Sequence, residues 1–130
     1  TEIYTLSLHD ALPISPKVAY AEFDRDSGAA ATADLLAAHP RLTAIAALND
    51  SMAVGALAHL RGVDRRVSVI GFDDMPIARD VTPALTTVRL PLVDMGERAM
   101  SLALGDPADA PRVELVAAEL VRRDSTWPAA

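Results

Sequence analysis

Residues 43–72 read TAIAALNDSMAVGALAHLRGVDRRVSVIGF, and their order of apolar and polar residues indicates the fold class. The apolar run 43–48 is short and ends at polar residues, which predicts a buried strand. Residues 50–61 predict a helix, because apolar side chains recur at i, i+3, i+4 and i+7, namely at Ala53, Ala56, Leu57 and Leu60. The apolar run 67–72 predicts a second strand, covered on both faces as parallel strands usually are. Strand, helix and strand in this order predict a parallel sheet with right-handed crossovers.

The flanking sequence continues this alternation. Upstream, residues 17–23 (KVAYAEF) predict a strand, and residues 27–39 predict a helix with Ser27 as its N-cap and Pro40 as its stop. Downstream, the sequence predicts a strand or crossing segment at 85–90, a helix from Pro91 to about Leu104, and an extended segment or hairpin at 112–122. The predicted fold class is therefore α/β, with a doubly wound parallel sheet.

Length and composition exclude several classes of protein. A chain of 130 residues corresponds to about one domain. With 12 Lys and Arg against 18 Asp and Glu, the net charge of -6 repels phosphate, so we do not expect this chain itself to bind nucleic acid. No cysteine is present for disulfides or thiolate metal sites, and no apolar run approaches the length of about 18 residues that a membrane span needs. We expect no metal and no cofactor.

We interpret the first 15 residues as a segment that does not belong to the natural protein. Thr1 to Ile14, TEIYTLSLHDALPI, resemble the translation of a common sequencing adapter. We therefore treat residues 1–15 as a non-native segment and residues 16–128 as the natural part. Ser7, His9 and Asp10 lie inside the segment and receive no catalytic role, and we expect the natural N-terminus to be absent.

Polar and aromatic residues follow each predicted strand. Phe23 ends the first strand, Asn49 and Asp50 follow the second, and Asp73 and Asp74 follow the third. Because ligands of open parallel sheets bind beyond the carboxyl ends of the strands, these residues could hold a polyhydroxyl or heterocyclic small molecule. Each also has a structural alternative. Phe23 could belong to the core, Asn49 to a loop, Asp50 to the helix as its N-cap, and the two later carboxylates to a solvated turn.

No motif of an enzyme is present. The natural part retains only His39 and His59, which we expect to be surface residues, and neither lies near a paired carboxylate. Glycine-rich phosphate loops, G-x-S-x-G and H-E-x-x-H are all missing. The sequence therefore predicts a binding protein and not an enzyme.

Three ordered motifs carry a family resemblance. They are AxxALNDxMAxGAL, VSVxGFDD and TPxLTTVRxPxxxMGxxA, and they lie between residues 43 and 99. In this order, with AEFDRDSGAAA before them and LVRRDSTWP after them, the chain resembles the effector-binding domain of the lactose-repressor (LacI/GalR) family of transcription regulators.

The resemblance implies a periplasmic-binding-protein-like clamshell of two subdomains, of which this chain holds mostly the C-terminal one. By position, Phe23 would stack on the effector, Asn49 and Asp73 would hydrogen-bond it, and Leu92 would line the wall from the other subdomain. Asp74 would be a structural residue of its loop. The implied partners are a carbohydrate effector, a second copy in a homodimer, and operator DNA contacted only through an absent helix-turn-helix. The implied location is the cytoplasm.

Two other functions remain to be weighed against this one. A periplasmic sugar-binding protein of a transport system shares the clamshell and an Asn-Asp motif, but the GFDD…PxLTTVR run is typical of the regulators. An enzyme on a similar sheet is the third, since fold does not fix function. If most of the N-terminal subdomain is absent, helix 91–104 lacks its own sheet, and we expect Leu92, Met95, Ala99 and Leu102 to have little cover.

Overall fold

The computed structural model describes residues 17–105 and 112–128. Within these ranges the chain forms four helices and four strands, in the order α1 (Arg25–Ala38), β1 (Ala44–Ala46), α2 (Asp50–Leu60), β2 (Ser68–Phe72), α3 (Ile77–Asp80), β3 (Thr86–Arg89), α4 (Leu92–Leu104) and β4 (Glu119–Val121). The adapter-like segment and residues 106–111 lie outside the described residues.

The four strands form one sheet in the order β1-β2-β3-β4. β1 pairs with β2 and β2 with β3 in parallel, whereas β4 pairs with β3 in the antiparallel direction. The predicted α/β fold is confirmed, and the parallel sheet carries one antiparallel edge. This edge arises because the chain leaves the sheet after β3, forms α4, and returns beside β3 in the opposite direction.

The core lies between α2 and one face of the sheet. It consists of small and medium apolar side chains: Ala53, Ala56, Leu57, Val69, Ala78 and Leu85. Along β2 the burial alternates, with Val69 and Gly71 buried and their neighbours only half-buried. Only one face of β2 is therefore fully covered within the described residues, although its unbroken hydrophobicity predicted cover on both.

Two glycines let α1 and α2 approach closely. A Cβ at Gly28 would overlap the backbone of Met52, and a Cβ at Gly55 would overlap the backbone of Arg25. The two helices therefore pack backbone against backbone where they cross, and any larger residue at either position must push them apart.

The predicted strand at residues 17–23 is wrong. This segment has no strand pairing in the structure, and Val18, Tyr20 and Phe23 are exposed. An apolar run favours extended backbone, but a strand exists only where a neighbouring strand satisfies its amides and carbonyls. β1 is the edge of the described sheet, and it does not pair with this segment.

The ends of several elements also differ from prediction. α1 begins two residues earlier than predicted, because Asp24 and not Ser27 is its N-cap and accepts a hydrogen bond from the Ser27 amide at 2.8 Å. The short helix α3 lies between residues 72 and 85, where no helix is predicted, and only the end of the predicted extended segment 112–122 becomes a strand, β4. Short elements carry too few residues for a periodic signal.

The C-terminal segment ties β2 to β3 through Ser125, which is fully buried. The Val69 amide donates to the Ser125 carbonyl at 2.8 Å, and the Ser125 hydroxyl donates to the Val69 carbonyl at 2.6 Å. The same hydroxyl accepts from the Thr86 amide at 2.8 Å. Ser125 therefore extends the hydrogen bonding between the two strands beyond their own ladder.

Helix α4 stands apart from this core. None of its residues is buried, and its exposed apolar side chains are Leu92, Val93, Met95, Met100 and Leu104. Of the four residues expected to lack cover, Leu92, Met95 and Ala99 are exposed and Leu102 is half-buried. Its polar side is held by Arg98, which pairs with Asp94 at 2.9 Å and with Glu114 at 3.5 Å.

Candidate functional site

The loops after β1 and β2 meet at one edge of the sheet. The two strands are parallel neighbours in register, with Ala46 opposite Ile70, so Asn49 and Asp73 both follow the carboxyl ends of adjacent strands. Phe23 joins them, because the Asn49 amide Nδ2 donates to the Phe23 carbonyl oxygen at 3.4 Å. The segment before α1 and the first turn of α2 are thus connected at this edge.

The ring of Phe23 faces solvent. It is 66% exposed, immediately before the N-cap of α1, so the alternative that placed it in the core is wrong. Below it the backbone is fixed, because Asp24 accepts hydrogen bonds from the amide and hydroxyl of Ser27, and the first of these lowers the pKa of the Asp24 carboxyl. An exposed aromatic ring on a fixed backbone offers a flat apolar surface to a ligand.

Asn49 has a structural role that the sequence predicts for its neighbour Asp50. Its Oδ1 accepts from the Met52 amide at 2.8 Å, so Asn49 is the N-cap of α2 and the prediction of Asp50 as the cap is wrong. Asparagine and aspartate both cap helices well, so adjacent residues of these types leave the sequence ambiguous. The cap uses one lone pair of Oδ1, and the Nδ2 amide retains a second hydrogen for a ligand.

Asp50 instead lies in the first turn of α2 and is completely buried. Its two carboxylate oxygens accept hydrogen bonds of 2.6 Å, one from the Met75 amide and one from the Thr87 hydroxyl. No local sequence pattern predicts this role, since both donors lie more than 20 residues away along the chain.

Asp73 is half-buried at the edge, in backbone conformation with φ of 103°. Its amide donates to the Val88 carbonyl at 2.9 Å, which holds the backbone that carries the carboxylate against β3. Partial burial and the charge of Asp50 both raise the pKa of the Asp73 carboxyl. Within the described ranges, no protein group donates a hydrogen bond to this carboxylate, so it is available for a hydroxyl or amide of a ligand.

Asp74 has the opposite surroundings. Its side chain is only 2% exposed and accepts from Arg89 Nε at 2.7 Å and from an Arg123 guanidinium nitrogen at 2.5 Å, with Arg79 at 3.7 Å. Burial alone would raise the pKa of the Asp74 carboxyl, but the hydrogen bonds from Arg123 and Arg89 outweigh it and the net pKa is lowered. The alternative of two solvated turn residues is therefore wrong for Asp74, which anchors the loop to β3 and to the segment after β4.

Leu92 lies elsewhere, as the first residue of α4, and is 62% exposed. It borders an open hollow of about 720 Å³ whose lining comes from α4 and the residue after it: Leu92, Val93, Gly96, Glu97, Met100, Ser101, Leu104 and Gly105. The structure thus joins Phe23 and Asn49 by a hydrogen bond and has Asp73 at the same edge of the sheet. Leu92 is separate from them, because Phe23, Asn49 and Asp73 do not line its hollow.

Neither a cluster of metal ligands nor a membrane-spanning helix is found in the described part of the chain. No three His, Cys, Asp or Glu side chains there lie close enough to hold a metal ion. In the same residues, no helix has the length and apolar character that crossing a membrane requires. The arrangement at the sheet edge can hydrogen-bond and stack against a neutral small molecule.

Comparisons with known proteins agree with this architecture. A family model described as "Periplasmic binding protein-like domain" matches residues 8–126. The HTH-type transcriptional regulator GalR of Escherichia coli (strain K12) is 43% identical over 115 residues, which cover 83% of this chain and 34% of that protein. The lactose operon repressor of Klebsiella pneumoniae is 34% identical, over 95% of this chain and 37% of that protein. The chain spans about a third of the length of the curated relatives it matches.

Solved structures give the same result. The transcriptional regulator CelR in complex with cellobiose superposes with a TM-score of 0.69 at 31% identity, over 82% of this chain and 35% of that one. A LacI family regulator from Arthrobacter sp. FB24, in complex with lactose, gives a TM-score of 0.68 at 34% identity, over 81% of this chain and 42% of that one.

Proposed function

The chain belongs to the periplasmic binding protein-like family, in its LacI/GalR group, and we propose that it is the C-terminal part of the effector-sensing domain of a sugar-responsive transcription regulator. The effector sits against Phe23, Asn49 and Asp73. This assignment is supported above all by one observation, the convergence of these three residues at the carboxyl edge of β1 and β2. Transport proteins with a similar clamshell are the weaker candidate, since the relatives described above are transcription regulators and not transport proteins or enzymes.

Each of the three residues supplies a different interaction. Phe23 offers an apolar face to the C–H surface of a sugar ring, Asn49 donates from Nδ2, and Asp73 accepts from hydroxyl groups. Carbohydrate is the effector class because hydroxyls pair with amides and carboxylates, and because cellobiose and lactose occupy the two structural neighbours.

Helix α4 belongs, in this proposal, to the second subdomain of the clamshell. Its exposed apolar residues are then covered by chain that corresponds to the remaining length of the relatives, and Leu92 reaches the cleft from that side. β3 and β4, which flank α4 in the chain, are the crossing strands between the subdomains.

The partners of the whole protein follow from the same proposal. Effector binding shifts the closure of the two subdomains and so the spacing of DNA-reading heads in a homodimer, which is a population shift driven by differential affinity. The net charge of -6 leaves operator binding to a separate helix-turn-helix. Because operator DNA lies in the bacterial cytoplasm, the proposal locates the whole protein there.

Calorimetry on a chimera tests the proposal. Residues 17–128 replace the matching stretch of E. coli GalR, and the chimera is titrated with cellobiose, lactose, adenine and guanine, beside the 130-residue chain alone. We expect a sugar to bind the chimera and none of the four to bind the chain alone, because half of the cleft is missing there. Sub-micromolar binding to the chain alone would show a complete site and contradict the clamshell assignment.

Asn49→Asp is the sharper variant within that chimera. Aspartate keeps the α2 cap that alanine would remove, but loses the Nδ2 donor. We expect sugar affinity to fall about tenfold, which corresponds to about 1.4 kcal/mol. Asp34→Asn, at an exposed position of α1, serves as the control. Unchanged affinity in Asn49→Asp would remove Asn49 from the site.

A further inference from the structure

We propose that Asp50 is the positioning residue of the sensing edge: its buried carboxylate fixes the loop that carries Asp73 and joins that loop to β3. The role in sensing rests on the proposed function, whereas the hold of Asp50 on the loop can be tested in this chain alone. Asp50 does not cap α2, because Asn49 is the cap. It does not touch an effector either, because its side chain is completely buried.

A buried carboxylate is costly unless hydrogen bonds replace its water. Asp50 obtains two, each of 2.6 Å, from different parts of the fold: the Met75 amide in the loop after β2 and the Thr87 hydroxyl on β3. Its position in the first turn of α2 also places it where a helix favours negative charge. One side chain thus connects the beginning of α2, the loop and the strand.

Gly71 shows that the fold makes room for this carboxylate. A Cβ at Gly71 would collide with Asp50 Oδ1, and it would also crowd Leu85 and Ala53. The glycine has no positive φ that would otherwise require it. Space beside β2 is therefore kept for Asp50 itself.

The loop that Asp50 holds is in an unusual backbone conformation. Asp73 and Asp74 have φ of 103° and 51°, a region that residues with a side chain rarely adopt and that surrounding contacts must maintain. The Asp50 bond to the Met75 amide fixes the loop directly after these two residues, while Arg89 and Arg123 hold Asp74. The orientation of the Asp73 carboxylate therefore depends on Asp50 although the two carboxylates share no hydrogen bond.

The bond to Thr87 gives the arrangement a second consequence. β3 leads into α4, and the Asp73 loop is joined to this strand both directly, by the Asp73 amide on the Val88 carbonyl and the Asp74 amide on the Thr87 hydroxyl, and through Asp50. A displacement of the loop by a ligand therefore reaches the strand that enters the other subdomain, with Asp50 as one of the connections. Asp50 is in this way a contact between the sensing edge and the closure movement of the proposed clamshell.

Nuclear magnetic resonance on the full 130-residue chain tests the proposal. The variants are Asp50→Asn, Thr87→Val and Thr87→Ser, and the readouts are hydrogen exchange of the Met75 amide and titration of the Asp73 carboxyl. In Asp50→Asn we expect Met75 exchange to accelerate about tenfold, because a neutral amide oxygen is a weaker acceptor than a carboxylate oxygen. We also expect the pKa of Asp73 to fall, because a neighbouring negative charge is removed. Thr87→Val should accelerate Met75 exchange to a smaller extent, and Thr87→Ser, which keeps the hydroxyl, should restore it.

Thr32→Val is the matched control. Thr32 is also a buried threonine whose hydroxyl donates a hydrogen bond, here to the Gly28 carbonyl at 2.8 Å, but it lies in α1. A general loosening of the fold would accelerate Met75 exchange in this control as much as in Thr87→Val, and that result overturns the proposal. Met75 exchange that stays at the wild-type rate in both Asp50→Asn and Thr87→Val overturns it as well.

The chimera separates failure of this inference from failure of the proposed function. If the chimera binds a sugar and Asp50→Asn leaves its affinity unchanged, the positioning role is refuted while the function stands. If the unaltered chimera binds none of the four compounds, the function fails, and the exchange and titration results still decide whether Asp50 holds the loop.

Discussion

The side of the molecule built from α2, β2 and β3 differs from α4 in nearly every physical respect. Together with α3 and the segment after β4, the first holds the apolar core of the described residues, the fully buried polar side chains of Asp50, Thr87 and Ser125, and the ion pairs of Asp74. The second has no buried residue and presents leucine, valine and methionine to solvent. The comparison shows that one part of the chain packs its apolar side chains against each other, whereas α4 leaves its apolar side chains exposed, as expected if it belongs to the proposed second subdomain.

Truncation of a large side chain in each part should separate them most strongly. Leu85→Ala empties a fully buried position in the core and should lower the free energy of unfolding by about 2–5 kcal/mol. Leu104→Ala, at a position 79% exposed on α4, should change it by less than about 0.5 kcal/mol. Urea unfolding of both variants measures the difference. Equal losses would show that α4 is packed as tightly as the core.

One glycine-to-alanine substitution in each region compares how closely the two regions are packed. Gly55→Ala forces a Cβ into the backbone of Arg25 where α1 crosses α2, and should cost about 1–3 kcal/mol. Gly96→Ala, in α4, meets nothing within 4 Å and should stabilise its helix by about 0.5–1 kcal/mol. Thermal unfolding and helical content by circular dichroism follow both. A neutral Gly55→Ala would mean that the helices can separate freely.

Asp74 should make stability depend on pH. Since the pKa of its carboxyl is lowered in the folded chain from 3.8, its contribution is complete above that pH and is lost as the pH falls through the folded-state pKa. Asp74→Asn should therefore cost about 1.5–3 kcal/mol at neutral pH and much less in acid. Asp94→Asn, which breaks an exposed pair on α4, should cost at most about 0.5 kcal/mol. Unfolding curves at about pH 7 and about pH 2.5 provide the measurement, and a loss for Asp74→Asn that is equal at both would contradict it.

The sequence alone predicts much of the first region and little of its polar interior. The i, i+3, i+4, i+7 pattern locates α2, the unbroken apolar run locates β2, and the predicted strand or crossing segment 85–90 contains β3. The rule for ligand sites in parallel sheets points to Phe23, Asn49, Asp50, Asp73 and Asp74, and the family resemblance selects Phe23, Asn49 and Asp73 among them. Only the structure tells which of Asn49 and Asp50 is the cap, because both residue types suit that position.

Other features depend on contacts that are distant in sequence. Arg123 is 49 residues from Asp74, and Ser125 is 56 residues from Val69. No local sequence pattern can therefore predict the hydrogen bonds between these pairs. The segment 17–23 fails for a related reason, since its strand pattern is genuine but no neighbouring strand pairs with it. The family resemblance supplies the roles assigned to Phe23 and Leu92, which composition and spacing do not.

Hydrogen exchange of the 130-residue chain, resolved residue by residue, tests most directly whether these two regions differ. We expect amides in the middle of α2 to exchange only through global unfolding, and amides of α4 to exchange orders of magnitude faster through local opening. Slow exchange across all of α4, equal to that of α2, would show that the helix is already covered in this chain. It would contradict the proposal that α4 belongs to a second subdomain and is covered by other residues of that subdomain.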